Sequence, residues 1–355
     1  MRVCLIASSR YPVREPFAGG LEALTHQLAR LLVRRGHEVT LFAAAGSDPA
    51  LPVSLVGAAT FAASDTARRD VNAPSDAWIA EHHAYLGLML DLGRTGAARF
   101  DVVHNNSLHH LPVAMASLLD VPLITTLHTP PTPWLESAIA TDHHASDFAA
   151  VSRATAAAWA HVVPSTVVLN GVDTDTWTPG PGGGPAVWSG RLVPEKAPHE
   201  AIDAARLAGV PLVLAGPAPD ERYFQDVVAP RLGRDAVHVG HLDHRALARL
   251  LRRASVAVVT PDWDEPYGLV AAEALACGTP VAAYARGALA ELVTDDVGGL
   301  AAPGSVPALA AAIEHARGRD RAAARARAVT HLSAERMVGD YEALYARIAG
   351  HEAAA

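Results

Sequence analysis

The chain alternates short apolar runs with longer segments in which apolar residues recur every three to four positions. The short runs are typical of strands buried on both faces, and the longer segments of amphipathic helices. A first helix is predicted after the first strand, because Leu21, Leu24, Leu28 and Leu32 share one face and Gly36 ends the pattern. In the first half the predicted strands are residues 2–8, 39–44, 101–104, 122–128, 148–151 and 166–169.

The pattern breaks at residues 178–185, where four glycines and three prolines exclude a helix or a central strand. It then restarts, with predicted strands at 186–189, 211–215, 237–239, 256–260 and 281–284 and helices at 201–208, 246–254 and 269–276. Strands that alternate with helices indicate a doubly wound parallel sheet. We therefore predict two α/β, Rossmann-like domains, 1–172 and 173–334, whose strand ends face a cleft. A last helical stretch at 334–349 has an apolar stripe that must pack on another element.

Composition and charge narrow the classes of function. The 355 residues are half apolar and 19 % charged, which is typical of a globular protein. The net charge of −8 and the lack of a clustered basic face argue against a nucleic-acid partner. The apolar opening, residues 1–7, is too short to span a bilayer, and no helix has the basic polar face of a membrane-surface anchor. Cys4 and Cys277 lie in apolar segments, which favours a reduced, cytoplasmic setting.

Two cations follow the first strand of the second domain. Arg191 closes this strand, and Lys196, the only lysine of the chain, follows five residues later. A guanidinium grips phosphate oxygens bidentately and an ammonium acts as a point charge, so the pair suits a diphosphate. A solvated loop explains the pair equally well when it is taken alone.

A second constellation surrounds the helix at 269–276. Glu265 and Tyr267 precede it, and the backbone N–H groups of Gly268, Leu269 and Val270 lie at its amino terminus, where phosphate or sugar oxygens bind. Glu273 lies among small apolar residues with no Arg or Lys within four positions. A carboxylate in such surroundings needs hydrogen-bond donors, and the diol of a ribose supplies two.

The segment from Glu265 to Pro280, with its Glu-x7-Glu spacing, resembles the signature of the family 4 retaining glycosyltransferases. Gly190–Lys196 resembles the phosphate-binding element of the same family. The resemblance implies the GT-B fold, with residues 335–355 packing back on the first domain. It also implies that Glu265 binds the transferred sugar, Arg191 and Lys196 the diphosphate, and Glu273 the ribose.

The first half agrees with this resemblance. Gly19 and Gly20 match the family's glycine-rich loop, and His128 matches its His-Thr, where the imidazole lies near the 6-hydroxyl of the sugar. Arg153 and Asn170 fall in segments that match the family between the domains, and they are candidate acceptor contacts. Asn105 and Asn106, after the strand at 101–104, are candidate acceptor or sugar contacts.

Other segments carry weaker indications of function. The backbone near Leu242 is where the family commonly holds the nucleobase. Residues 56–95, where acceptor contacts are expected, carry no motif, and Trp78, His82 and His83 fit an ordinary surface or a specificity determinant equally well.

We therefore predict a retaining, metal-independent hexosyltransferase of the natural-product type. Its donor is a UDP-, GDP- or dTDP-sugar, which is a substrate, so no cofactor is expected. Its acceptor is predicted to be a soluble small molecule. The histidine pairs are interpreted as surface residues and not as metal ligands. A sugar-nucleotide epimerase of the same fold and a non-catalytic sugar-nucleotide-binding protein are the alternatives, and the oligomeric state stays open.

Overall fold

The structure, a computed structural model, describes residues 1–56, 63–142 and 145–350. It divides into two compact units. Unit 1 comprises Met1–Ala150, Ala156–Val168 and Val338–Ala355, and unit 2 comprises Val151–Thr155 and Leu169–Met337. Residues 351–355, the predicted end of the last helical segment, lie outside the described residues.

This division differs from the predicted boundary at residue 172, because residues 151–155 and 169–172 belong to unit 2. Hydrogen bonds explain the difference. The Ser152 hydroxyl donates to the carbonyl oxygen of Pro266 at 2.7 Å. The backbone N–H of Val172 donates to the carbonyl oxygen of Leu332 at 2.8 Å.

Unit 1 is built on one parallel sheet with helices around it. Its strands are β1 (Arg2–Ile6), β2 (Glu38–Ala43), β3 (Val53–Leu55), β4 (Val102–Asn105), β5 (Leu123–Leu127), β6 (Ser146–Ala150) and β7 (Thr166–Val167). Its helices are α1 (Gly20–Arg34), α2 (Asp76–Arg99), α3 (Leu111–Ala114) and α4 (Pro133–Asp142), and α5 (Arg153–Trp159) begins in unit 2 and ends in unit 1.

The strands of unit 1 run in the order β3-β2-β1-β4-β5-β6-β7, all parallel. The central strands β4 and β5 are buried along their whole length, which explains their uninterrupted apolar runs. The strand order reverses between β1 and β4. The loops after these two strands therefore leave the same edge of the sheet, where open α/β sheets bind their ligands.

Unit 2 repeats this architecture. Its strands are β8 (Ala186–Ser189), β9 (Leu212–Ala215), β10 (Ala236–His238), β11 (Ala257–Val259), β12 (Val281–Tyr284) and β13 (Gly298–Ala301). Its helices are α6 (Pro198–Leu207), α7 (Glu221–Tyr223), which continues as a π-helical turn (Phe224–Val228), α8 (His244–Arg253), α9 (Leu269–Ala276), α10 (Leu289–Leu292), α11 (Val306–Arg317) and α12 (Arg321–His331). The last helix, α13 (Ala334–Ile348), passes from unit 2 into unit 1.

The strand order of unit 2 is β10-β9-β8-β11-β12-β13, again all parallel. The order reverses between β8 and β11, so the loops after these two strands lie side by side at the ligand-binding edge. The predicted fold class, two doubly wound parallel sheets, is confirmed. Among the described residues, none of the helices combines the length and apolar character that crossing a bilayer requires.

A buried polar network holds the last helix against the sheet of unit 1. His104 on β4 hydrogen-bonds the hydroxyl of Tyr345 at 2.5 Å and that of Thr126 at 2.7 Å. The hydroxyl of Tyr341 lies 3.0 Å from the same Thr126 oxygen. Burial lowers the pKa of His104 to about 3, so this imidazole is neutral and offers one donor and one acceptor.

Three of the elements that the sequence pattern missed, α2, β3 and β13, have weak apolar signals. Helix α2 contains Gly87, Gly93 and Gly96, which interrupt its stripe, and β3 has three residues. Strand β13 begins Gly298-Gly299, where a Cβ on Gly298 would overlap the carbonyl oxygen of Val281. The glycines allow the backbone of β13 to lie close to its neighbours. Such an approach leaves no pattern of apolar residues in the sequence.

Gly216 provides a test of backbone packing at the ligand-binding edge of unit 2. Its φ is +152°, and a Cβ there would overlap the carbonyl oxygen of Gly190. We expect Gly216→Ala to lower the free energy of unfolding by more than about 2 kcal/mol, because strain and overlap add. Gly209→Ala, also at positive φ but with open space around it, should cost about 1 kcal/mol. Urea unfolding checks both, and equal losses would contradict the overlap.

Candidate functional site

The loop after β8 is fixed by backbone contacts. The backbone N–H of Gly190 donates to the carbonyl oxygen of Ala215 at 3.0 Å, and the N–H of Leu192 donates to the carbonyl oxygen of Pro217 at 2.9 Å. The loop ends in a 3₁₀ turn, Pro194–Lys196, and then in Ala197, whose φ of +41° is rare for a residue with a side chain. The loop is therefore held in one conformation across the ends of β8 and β9.

The end of this loop is also tied to the end of β11. The hydroxyl of Thr260 lies 2.9 Å from the carbonyl oxygen of Lys196 and 3.0 Å from that of Ala197. The same hydroxyl accepts a hydrogen bond from the indole of Trp188 at 3.0 Å. The strained turn thus persists because neighbouring strands hold it on both sides.

The ammonium of Lys196 is held by Glu265. Its Nζ lies 2.5 Å from Oε2 of Glu265, and the indole N–H of Trp263 donates to that oxygen at 3.2 Å. The ammonium also lies 5.0 Å from the centre of the Trp263 ring, within the range of a cation–π interaction. The side chains of Lys196 and Glu265 are 24 % and 13 % exposed, so this ion pair is largely desolvated.

Arg191 is placed differently. Its guanidinium is exposed and lies 3.6 Å from the carboxylate of Glu195, a long ion pair on the surface. Such a pair is weak, so a stronger anion can take over the guanidinium. Arg191 and Lys196 together give the strand-end edge of unit 2 two positive charges.

Helix α9 begins beside this ion pair. Its first residue follows Gly268, whose φ is +93°, and a Cβ there would lie 2.7 Å from Leu289. In the described part of the chain, nothing accepts from the N–H groups of Leu269 and Val270. The amino terminus of this helix therefore offers two N–H groups and the positive end of its dipole.

Glu273 lies one turn further along α9. It is partly exposed, and no donor or cation among the described residues contacts its carboxylate. Burial raises its pKa to about 8. A ligand that donates hydrogen bonds to this carboxylate would stabilise its charged form.

Two of the predicted contact residues, Tyr267 and Asn105, are hydrogen-bonded within their own unit. The hydroxyl of Tyr267 is buried and donates to the carbonyl oxygen of Asn170 at 2.5 Å, which joins two segments of unit 2. Asn105 is fully buried, with both ends of its amide bonded to Thr125 and Ser107. The carboxamide of Asn105 is therefore bonded inside unit 1, and its predicted acceptor contact stays a prediction.

Unit 1 carries its own cluster at the ends of β4 and β5. Nε2 of His128 lies 3.0 Å from Oδ1 of Asn106, and burial lowers the pKa of His128 to about 3. The Nδ2 atom of Asn106 is buried and has no partner in the described part of the structure. A neutral imidazole and a free amide N–H thus lie together where ligands bind in this kind of sheet.

The remaining predicted residues lie in loops or at helix starts. Gly19 and Gly20 form the start of α1, after β1. Leu242 is half-buried in the loop between β10 and α8, and Arg153 is exposed at the start of α5. The structure thus brings Lys196, Glu265 and the first turn of α9 together in unit 2.

Sequence reasoning missed Trp263 and Thr260. Trp263 stands two residues before Glu265, and an aromatic residue so close to a predicted sugar-binding carboxylate is the signal that could have identified it. Thr260 carried no signal, because its role depends on the path of the loop before it.

Comparisons with known proteins agree with this geometry. The description "Glycosyl transferases group 1" matches residues 186–327, and "Glycosyltransferase Family 4" matches residues 18–176. A glycogen synthase of Mycobacterium tuberculosis is 32 % identical, over 96 % of this chain and 91 % of that protein. A D-inositol 3-phosphate glycosyltransferase of Xylanimonas cellulosilytica is 30 % identical, over 86 % of this chain and 85 % of its own length.

Solved structures share the fold. Anabaena Alr3699/HepE in complex with UDP-glucose superposes with a TM-score of 0.72 at 21 % identity, covering 96 % of this chain and 98 % of that one. AviGT4, a glycosyltransferase involved in Avilamycin A biosynthesis, gives a TM-score of 0.71 at 23 % identity and covers 98 % of both chains.

The raised pKa of Glu273 predicts how stability depends on pH. Between its ordinary value of 4.5 and about 8, the folded chain keeps a proton that the unfolded chain releases. The group therefore costs stability increasingly as pH rises through this window, and the full cost remains above it. We expect Glu273→Gln to stabilise the ligand-free protein at pH 8.5 by on the order of 1–3 kcal/mol relative to pH 5, a range reduced for its partial exposure.

Urea unfolding at several pH values measures this difference. Glu314→Gln, an exposed glutamate on α11, is the matched control and should show no such trend. If the wild type and Glu273→Gln differ by the same amount at every pH, the carboxyl group is not perturbed.

Proposed function

The chain belongs to the family 4 glycosyltransferases, and we propose that it transfers a hexose from a nucleoside-diphosphate sugar to an acceptor hydroxyl with retention of anomeric configuration. The observation that carries this proposal is the Lys196–Glu265 ion pair, set beside the open first turn of α9. It provides a cation, a carboxylate and backbone N–H groups at one sheet edge. A diphosphate and a sugar require those three kinds of group.

The diphosphate is proposed to bind Arg191, Lys196 and the N–H groups of Leu269 and Val270. As the bond from the sugar to the diphosphate breaks, negative charge develops on the departing oxygen. Fixed positive groups stabilise this charge, and each such group is worth on the order of 10²–10³ in rate. In this proposal these groups do the work that a metal ion does in other transferases, so the transfer is metal-independent.

The sugar and the ribose are proposed to contact the two glutamates. When a phosphate draws Lys196 toward itself, Glu265 is released to accept hydrogen bonds from sugar hydroxyls. Glu273 accepts from the ribose diol, which supplies the donors that this carboxylate lacks. Backbone groups near Leu242 are proposed to hold the nucleobase.

In unit 1 we propose His128 as a ligand of a sugar hydroxyl. Its low pKa keeps the ring neutral. With Nε2–H donated to Asn106, Nδ1 is left as an acceptor for a hydroxyl. The free N–H of Asn106 is proposed to contact the acceptor or the sugar. No side chain is assigned as a covalent nucleophile, and the acceptor is proposed to attack on the face that the diphosphate leaves.

The nucleotide is tested first by thermal stability with UDP, GDP, dTDP and ADP. UDP heads the panel because the HepE structure holds UDP-glucose. We expect one nucleotide at a hundredfold its dissociation constant to stabilise the protein by about 2.7 kcal/mol. Glu273→Ala should lose most of this protection, while Glu314→Ala keeps it. If no nucleotide stabilises the wild type, the proposed donor site is wrong. A non-catalytic protein that binds a different ligand then becomes the better explanation.

For the acceptor we propose a soluble small molecule, in a cytoplasmic setting. The acidic net charge supports this choice, because anionic lipid surfaces attract basic proteins. The relatives' names add two acceptor classes to test, a glucan and an inositol phosphate.

Incubation of the identified donor sugar with these classes and with hydroxylated natural products should give one glycoside. Its anomeric proton coupling should match that of the donor sugar. An inverted product would overturn retention. A 2-epimerised nucleotide sugar as the product would instead establish the epimerase alternative. Cosedimentation with anionic liposomes at low salt would contradict the choice of a soluble acceptor.

A further inference from the structure

A cluster of three imidazoles lies in unit 1, in part on the same loop after β4 that carries Asn106. His82 lies on α2, and His109 and His110 lie in the loop after β4. One ring nitrogen from each lies within 4.8 Å of the other two. None of the three is fully exposed. The histidine pairs that the sequence presents as ordinary surface are thus gathered in one place.

We propose that His82, His109 and His110 bind a divalent transition-metal ion of the zinc type. A point equidistant from three atoms at this separation lies about 2.8 Å from each, and zinc–imidazole bonds are about 2.0–2.1 Å long. Each ring therefore has to move by less than about 1 Å. Imidazole nitrogens suit zinc, copper, nickel and cobalt, whereas magnesium and calcium prefer oxygen ligands.

The surroundings of the rings support a built site. Trp78 stacks on His82 with ring centres 4.8 Å apart, Tyr85 on His109 at 4.2 Å, and Trp134 on His110 at 5.0 Å. These rings back the three imidazoles and limit their rotation. Nδ1 of His82 is buried and has no hydrogen-bond partner among the described residues, which calls for an explanation.

One hydrogen bond has to give way. The N–H of Leu111 lies 3.2 Å from Nδ1 of His109, so this nitrogen is now an acceptor. Ligation through either nitrogen of His109 removes that bond, because the ring proton moves or the metal takes its place. His109 and His110 are also stacked, with ring centres 4.4 Å apart, and they have to turn toward each other. Metal binding thus breaks this hydrogen bond, turns these two rings and joins the loop after β4 to the start of α2.

The test uses the full chain without a histidine tag, freed of metal by a chelator. We expect Zn²⁺ to bind at a stoichiometry of one by calorimetry. Co²⁺ should give the visible absorption bands of a tetrahedral site with nitrogen ligands. His82→Asn and His110→Asn should each weaken Zn²⁺ binding at least tenfold, and Mg²⁺ and Ca²⁺ should not compete.

His83→Asn is the matched control, because His83 neighbours His82 in sequence but is exposed and bonded to the carbonyl oxygen of Ile79. It should bind Zn²⁺ like the wild type. Circular dichroism melting of each variant shows that it is folded. Absence of Zn²⁺ binding, or equal affinity in the wild type, His82→Asn and His110→Asn, would overturn the proposal. Neither result depends on nucleotide binding in unit 2.

Discussion

The desolvated ion pair of Lys196 and Glu265 is the interaction on which the arrangement of the proposed donor site depends. Two charges that lose most of their water need good geometry and further hydrogen bonds, and here Trp263 and the turn held by Thr260 provide them. The turn places the cation, and the cation places the carboxylate in front of α9. In the proposed complex, phosphate oxygens compete with Glu265 for the ammonium of Lys196. The sugar hydroxyls then donate hydrogen bonds to the carboxylate of Glu265.

Some polar groups that lack partners among the described residues lie where the proposed ligand would bind. Glu273 and the first N–H groups of α9, which are partly exposed, lie at one sheet edge of unit 2. In unit 1, the amide N–H of Asn106 lies beside the neutral His128. The proposed nucleotide sugar carries the phosphate and hydroxyl groups that can bind these polar groups.

Much of this arrangement could be read from the sequence, because it depends on local patterns. The apolar runs predicted β8 and β11, so Lys196 and Glu265 could be assigned to the loops that follow these strands. The glycines before and after α9 predicted where this helix begins and ends. What the sequence could not show depends on contacts between residues that are distant along the chain. Asn105 follows a strand as Asn106 does, but Thr125 and Ser107 use its amide. The hydroxyl of Tyr267 donates to the carbonyl oxygen of Asn170 inside unit 2. His82 lies beside His109 and His110 because of how α2 packs, and the glycines of α2 interrupt the apolar stripe that would have predicted this helix.

The measurement that tests the central claim most directly uses the single lysine of the chain. In protein labelled with ¹³C and ¹⁵N at lysine, the side chain of Lys196 gives one set of NMR signals, without need for assignment. Titration with the nucleoside diphosphates should shift these signals saturably with one of them, as phosphate replaces Glu265 beside the ammonium. Signals that stay unmoved at millimolar concentrations of every nucleotide would contradict a diphosphate site at Lys196.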